Sequence, residues 1–142
     1  MKGLHYMDEK IITLSKYRLQ KAKEDLEAAK LNFENKLFKA SINRSYYAIF
    51  HGIRAVNAIK QFDSKKHSGV ISYFNQNFIH TGIFDKNVYK LITSAYKIRE
   101  KSDYDDFYIA TKEEAEKQLK NAEKFLLIIE EYLNKKVYYD TL

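Results

Sequence analysis

Residues 37–59 read LFKASINRSYYAIFHGIRAVNAI, and this stretch decides the fold. Its apolar side chains recur every three or four residues, which is the period of an α-helix. Two neighbouring stripes result: Ile42, Tyr46, Ile49, Ile53 and Val56 form the first, and Ala40, Tyr47, Phe50 and Arg54 form the second. A helix that is apolar over so wide an arc is usually central in a bundle or shared with a dimer partner. We therefore predict a helix from about Leu37 to about Ile59 in one of these two positions.

The same period continues on both sides of this stretch. A long helix is predicted from the stripe that runs from Ile12 to Phe33, with its end at 32–35. Asp63-Ser64 supplies a start for a third helix, which Thr81-Gly82 stops, and Asp85 can cap a fourth. The acidic segment 102–106 is expected to leave that fourth helix, because carboxylates are unfavourable at a helix C-terminus.

A capping box, Thr111-Lys112-Glu113-Glu114, predicts the start of the last helix, and the apolar period of this helix continues to Leu133. The chain has no proline and only four glycines, so β-type turn signals are missing. We predict an all-α, antiparallel bundle of about five helices in one domain over residues 1–142. Its core should span about 12–133, with frayed termini that include residues 138–142.

Composition excludes several classes of protein. The 142 residues include no cysteine, which rules out disulfides, thiolate metal sites and cysteine nucleophiles. The N-terminus lacks an apolar signal region, and no apolar run approaches the length of a membrane span. We therefore expect a cytoplasmic protein without a membrane segment. The net charge of +6 fits either attraction to phosphate backbones or lysines scattered over solvated helix faces, and both explanations remain open.

Three clusters of polar residues could carry chemistry. In the first, Asn43, Tyr47, His51 and Arg54 share one face of the central helix by their spacing. Such a face is either a satisfied core network or a polar pocket for a phosphate or a base.

The second cluster is Lys65-Lys66-His67-Ser68-Gly69 at the start of the third helix. Lysines, a histidine and free N–H groups at a helix start suit an anion site, and an exposed loop is the alternative.

The third cluster follows from Arg99, which falls on the apolar stripe of the fourth helix. A buried arginine needs a partner, and the candidates are Asp103, Asp105 and Asp106. The arrangement is either a structural ion pair or an arginine held at a cleft to bind phosphate. The four histidines show no metal-ligand spacing, so we expect no metal site. The sequence also lacks a glycine-rich phosphate loop, so we expect no nucleotide cofactor.

Together the clusters resemble the HEPN family, in its small stand-alone prokaryotic branch. The resemblance rests on Asn43-Arg44-x-Tyr46-Tyr47-Ala48-x-Phe50-His51, on Lys66-His67-Ser68-Gly69-Val70 with Phe74, and on Arg99 with Asp103-Tyr104. It implies a helical bundle that forms a homodimer, often a toxin or defence protein that is encoded beside a small nucleotidyltransferase. It also implies RNA or nucleotide as ligand and, in active members, metal-independent ribonuclease activity from an arginine and a histidine four to six residues apart.

The sequence departs from that family pattern after Arg99. No histidine follows it, and Tyr104, a poor general base at neutral pH, stands in the expected place. Arg44 and His51 do have six residues between them, but seven helical steps separate them by about 10.5 Å along the axis. The candidate catalytic residues are therefore Arg44, His51, Arg99 and Tyr104.

Three hypotheses follow. In the first, the protein engages and possibly cleaves RNA, with Arg44, His51, Lys66, His67 and Arg99 around a dimer groove. In the second, it is a non-catalytic module in which Asn43, Tyr47, Lys66, His67 and Asp103 hold a nucleotide or dock a nucleotidyltransferase, and Tyr104 accepts a nucleotidyl group. In the third, it is a structural bundle without a ligand.

Overall fold

The computed structural model describes residues 8–139. This part of the chain folds into five α-helices without a β-strand, so the all-α prediction is confirmed. The helices are α1 (Glu9–Glu34), α2 (Phe38–Asn57), α3 (His67–Phe74), α4 (Asn87–Tyr104) and α5 (Lys112–Lys136). A 3₁₀ turn, Ala58–Lys60, follows α2, and α3 continues into a π-helical turn, Asn75–Ile79.

Helix α2 lies at the centre of the bundle and packs against α1, α3, α4 and α5. Ile42, Ile49, Ile53 and Val56 of its apolar stripe are all buried. The other helices of the same chain cover most of this arc, but Tyr47 and Arg54 are only half-buried and Ala40 is exposed. Of the two positions that the sequence left open for α2, the structure shows the central one, and a contact of the arc with a partner protein stays a prediction.

The helix ends follow local side-chain chemistry. Thr111 and Glu114 form the predicted capping box, since each side chain bonds to the backbone N–H of the other residue. Gly82 adopts a φ of 83° in the turn after the π-helical segment, a conformation that favours glycine. At the start of α4, Asp85 Oδ1 accepts a hydrogen bond of 2.8 Å from the N–H of Asn87.

Two helix boundaries differ from the prediction. Helix α3 begins at His67 and not at Asp63-Ser64, because the Asp63 carboxylate bonds to arginine side chains instead of capping the helix. Helix α4 continues to Tyr104, so the first part of the acidic segment stays helical. There Asp103 pairs with Arg99 one turn earlier, which favours the helix over the dipole penalty.

The C-terminal segment is packed further than predicted. Tyr138 is 2% exposed, and its hydroxyl lies 2.5 Å from Ser15 Oγ on α1. Ser15 Oγ also donates to the carbonyl of Ala55 on α2. The core therefore extends past Leu133 to Tyr138, and the prediction of fraying at this tyrosine is wrong. Residues 1–7 and 140–142, also predicted to fray, lie outside the described residues.

Candidate functional site

A cavity of about 530 Å³ opens between α2 and the segment that leads into α3. We call it the central pocket. Four lining residues come from α2 and four from the chain around the start of α3: Tyr47, Phe50, His51, Arg54, Asp63, Ser64, Lys65 and His67. Parts of the first two clusters predicted from the sequence therefore meet in one place: Tyr47, His51 and Arg54 from the first, and Lys65 and His67 from the second.

His67 sits on the first turn of α3 against the aromatic rings of α2. Its Nδ1 lies 2.8 Å from the Tyr46 hydroxyl, and its ring stacks on Phe50 with the centroids 4.1 Å apart. Burial, reinforced by the positive charges of Arg99 and Arg54, lowers the pKa of His67 below its ordinary value. The imidazole is therefore neutral at neutral pH and has one nitrogen, Nε2, beyond its bond to Tyr46.

Arg99 approaches the same rings from α4. Its Nη2 donates to the Tyr47 hydroxyl over 3.3 Å, and its guanidinium carbon lies 5.1 Å from the centre of the Tyr46 ring. Arg99 Nε lies 2.9 Å from Asp103 Oδ2 as an ion pair, although the angle is not that of a hydrogen bond. Of the three carboxylates proposed as partners, only Asp103 therefore pairs with Arg99. The result is an arginine beside His67, at the edge of the central pocket.

Asp63 is the carboxylate among the lining residues, and two arginines share it. Arg54 donates to both of its oxygens over 3.3 and 2.9 Å, and Arg18 of α1 donates over 3.2 Å. Burial would raise the pKa of Asp63, but the hydrogen bonds from Arg54 and from the backbone of Ser64 outweigh it and lower the pKa. The carboxylate thus neutralises part of the positive charge at the mouth of the pocket.

Arg44 and His51 share another carboxylate, the buried one of Asp25 on α1. Arg44 Nη1 donates to Asp25 Oδ1 over 3.0 Å, and His51 Nε2 lies 3.8 Å from Asp25 Oδ2. Burial is the main cause that lowers the pKa of His51 to about 4. The positive charges of Arg54, Lys21, Arg18 and Arg44 act in the same direction, in that order of strength. Burial raises the pKa of Asp25, against the opposing effect of Arg44.

Sequence reasoning missed Asp25 and Arg18. Both lie on the buried face of α1, in step with Ser15, Ala22 and Ala29. A charged residue that recurs on an apolar stripe was the available signal, the same one that identified Arg99. Tyr46 was placed in the core stripe and in the family motif but not among the candidate site residues, and its hydroxyl bonds to His67 at the site.

The remaining predicted site residues lie elsewhere. Asn43 and Asp103 line a separate cavity between the start of α2 and the end of α4. Lys66 is exposed and does not line the central pocket, whereas its neighbour Lys65 does. Tyr104 is 79% exposed on the last turn of α4. The structure therefore brings together Tyr47, His51 and His67, with Arg99 beside them.

Within residues 8–139, no three histidine, aspartate or glutamate side chains are grouped closely enough to hold a metal ion. The same range contains no helix that is long and apolar enough to cross a membrane.

An all-α bundle with a basic pocket over aromatic rings is the class that the fold and the site define. The profile of the HEPN domain matches residues 15–132. The chain belongs to the HEPN domain family, as the resemblance predicted.

Named relatives agree with this assignment. A protein of Methanocaldococcus jannaschii called "Putative toxin MJ0605" is 42% identical over 105 residues, which cover 74% of this chain and 78% of that protein. A second one, "Putative toxin MJ0142", is 34% identical over 115 residues, or 81% and 78% of the two chains. A "UPF0332 protein" of Thermotoga maritima is 34% identical over 125 residues, or 88% and 92%.

Proposed function

We propose that this protein is a HEPN protein of the toxin–antitoxin or defence type, and that its central pocket binds a phosphate group of RNA or of a nucleotide. The observation that carries the proposal is the pocket's charge: two cations, Arg54 and Lys65, face it beside a single carboxylate, Asp63, and the neutral imidazole of His67 adds a ring nitrogen. Tyr47, which is half-buried, adds an aromatic ring on which an unpaired base can stack. The names of the two archaeal relatives support the toxin assignment.

A phosphate that binds in the central pocket has to displace the Asp63 carboxylate from Arg54. An incoming phosphate competes with this carboxylate for Arg54, while Arg18 continues to neutralise Asp63. Arginine suits the exchange, because its planar group pairs with either anion through two parallel hydrogen bonds.

The test is the binding of a short labelled single-stranded RNA, followed by fluorescence anisotropy at several salt concentrations. Arg54→Ala should weaken binding about tenfold or more and reduce the slope of log affinity against log salt by about 0.7. Lys124→Ala, which removes the same charge from the exposed face of α5, should change the affinity little. Equal effects of the two variants would mean that only the net charge of the protein attracts RNA.

A double variant separates binding from repulsion. Arg54→Ala leaves Asp63 at the pocket with one arginine fewer, which alone could repel RNA. In the Arg54→Ala/Asp63→Ala protein that repulsion is gone. If Arg54 contacts the phosphate, the double variant still binds weakly; recovery of full affinity would contradict the proposed contact.

The finer proposal is that the site cleaves RNA without a metal. With its one ring proton on Nδ1 and donated to the Tyr46 oxygen, a neutral His67 is able to take the proton of a 2′-hydroxyl at Nε2 as that oxygen bonds to phosphorus. His67 then returns this proton to the 5′-oxygen as the bond from phosphorus to that oxygen breaks, and Arg99 stabilises the charge on the phosphate. Arg44 and His51 fit this role less well, because both are directed at the buried Asp25.

Cleavage is measured in EDTA with a labelled RNA pool. We expect it to be lost in His67→Ala and in Arg99→Ala and to persist in an Arg44→Ala/His51→Ala double variant that remains folded. The reverse pattern would move the catalytic role to Arg44 and His51. No cleavage by the wild-type protein would leave a binding module.

The end of α4 favours a second candidate function, which is protein docking. The docked protein would be a small nucleotidyltransferase partner or a second copy of this chain in a homodimer. Tyr104 is 79% exposed, and Phe107 and Ile109 in the following loop are 92% and 81% exposed. Such large exposed side chains suit a protein contact. In this reaction the Tyr104 oxygen would lose its proton and bond to the α-phosphorus of a nucleoside triphosphate, with release of pyrophosphate. The nucleotidyl group would appear as a mass increment after co-expression with the partner, and Tyr104→Phe should abolish it. An unmodified Tyr104 in a functional pair would contradict the acceptor role.

A further inference from the structure

A second cavity lies on the other side of His67, between α3 with its π-helical turn and the first part of α4. We call it the lateral groove, and its volume is about 710 Å³. Its floor includes Ile71, Ile79 and Ile92, and Tyr89 and Tyr96 form the α4 side. The walls are thus mainly apolar and aromatic, as in most sites for small organic groups.

The polar groups of the groove are cationic or neutral. Lys86, Lys97 and His80 stand at its exposed rim, and none of the described residues that line it is acidic. An aromatic and apolar floor under a cationic rim suits a ligand that is both flat and attached to negative charge. A nucleobase with its phosphates has this chemistry.

The π-helical turn places two amide side chains, Asn75 and Gln76, at the groove. Asn75 Oδ1 is shielded from solvent and has no hydrogen-bond partner among the described residues. Buried amide oxygens normally have one. Asn75 is only half-buried, so a rotation of its amide group is enough to offer this oxygen to the amino group of a base.

The groove is a neighbour of the central pocket along α3, although the two cavities share no lining residue. Ser68, which lines the groove, follows His67 of the central pocket directly. Tyr96 lies with its ring 6.4 Å from that of Tyr46, whose hydroxyl bonds to His67. Arg99 stands one helical turn beyond Tyr96 on α4.

We propose that the lateral groove is a binding site for one unpaired nucleobase of a single-stranded RNA whose phosphate occupies the central pocket. The proposal rests on the proposed phosphate binding and adds a second contact to it. The base lies between Tyr89 and the apolar floor, and the amide groups of Asn75 and Gln76 face its edge.

The probes are a labelled oligoadenylate and a labelled abasic ribose-phosphate oligomer of the same length and charge. We expect the wild-type protein to bind the oligoadenylate about tenfold more tightly, because stacking is lost without the base. Tyr89→Ala, at an exposed position, should remove most of this difference and leave the abasic affinity unchanged. Gln76→Ala, also exposed, should reduce the difference, whereas Tyr17→Ala on the exposed face of α1 should not.

Each other outcome overturns the proposal in a distinct way. Equal wild-type affinity for the two oligomers would exclude a base site and leave the phosphate site intact; the groove would then suit an acidic protein segment instead. A loss from Tyr89→Ala that is the same for both oligomers would show a structural effect. If the wild-type protein binds neither oligomer, the proposed function itself fails, and the base site fails with it.

Discussion

The hydroxyl of Tyr46 is the contact through which three helices meet at the site. It lies 2.8 Å from Nδ1 of His67 on α3, and the guanidinium of Arg99 on α4 lies over the Tyr46 ring. Burial raises the pKa of Tyr46, so the phenol keeps its proton at any physiological pH. A neutral phenol bonded to Nδ1 fixes the orientation of the imidazole and leaves Nε2 for a ligand.

His51 should make the stability of the protein depend on pH. Its folded pKa is about 4, whereas a histidine in an unfolded chain titrates near 6.5. Between these values the unfolded state binds more protons, so the free energy of unfolding falls as the pH is lowered through this window. The contribution is complete above it and amounts to about 3 kcal/mol at most.

Urea denaturation at several pH values checks this dependence. His51→Gln should lose less stability than the wild-type protein when the pH falls from neutral to about 4.5. Asp25 acts in the opposite direction, because burial raises its pKa, but both proteins keep it. Parallel pH curves would mean that His51 is not the titrating group, and His80→Gln, at an exposed position, is the matched control.

At the level of single elements, caps with a short sequence signature could be predicted, and ends set by tertiary contacts could not. The capping box of α5 lies within four consecutive residues, so the sequence contains all of it. The start of α3 depends on Asp63, which bonds across the chain to Arg54 and Arg18 and is therefore not free to cap.

Removing the cap of α5 should destabilise the fold. Thr111→Ala leaves the N–H of Glu114 without its acceptor, which costs about 1 kcal/mol in the free energy of unfolding. Thr93→Ala is the matched control, since Thr93 bonds only to a carbonyl of its own helix, and should change stability by a few tenths of a kcal/mol. If chemical denaturation gives the same loss in the free energy of unfolding for both variants, the capping box adds no stability beyond that of an ordinary threonine side chain.

For the molecule as a whole, local periodicity predicted the fold, while the site depends on contacts between distant segments. The stripes of α2 and α5 are visible in consecutive residues, and both helices form as expected. The pairing of Asp25 with Arg44 and His51 joins α1 to α2 through one buried carboxylate. No short-range pattern specifies that contact, so the sequence identified Arg44 and His51 but not the residue that holds them.

The two tyrosines that follow α5 test how the bundle closes. Tyr138 is 2% exposed and contacts Ser15, whereas Tyr139 is 45% exposed. Tyr138→Ala should lower the free energy of unfolding by about 3–5 kcal/mol, as for other large aromatic side chains removed from a core. Tyr139→Ala should stay within about 0.5 kcal/mol. Similar losses for both variants would contradict the packing of this segment against α1.

The π-helical turn at Asn75–Ile79 also limits how this protein is able to change during evolution. Each residue of an α-helix turns the chain by about 100°, so the deletion of one residue here would rotate the residues that remain in this helical segment by an angle of that order. Phe78 and Ile79, both buried, would leave the core together. Substitutions in this segment change one side chain at a time, but a change of length alters the whole wall of the lateral groove. Related proteins that keep the groove are therefore expected to keep the number of residues between Phe74 and Phe84, even where the residues themselves differ.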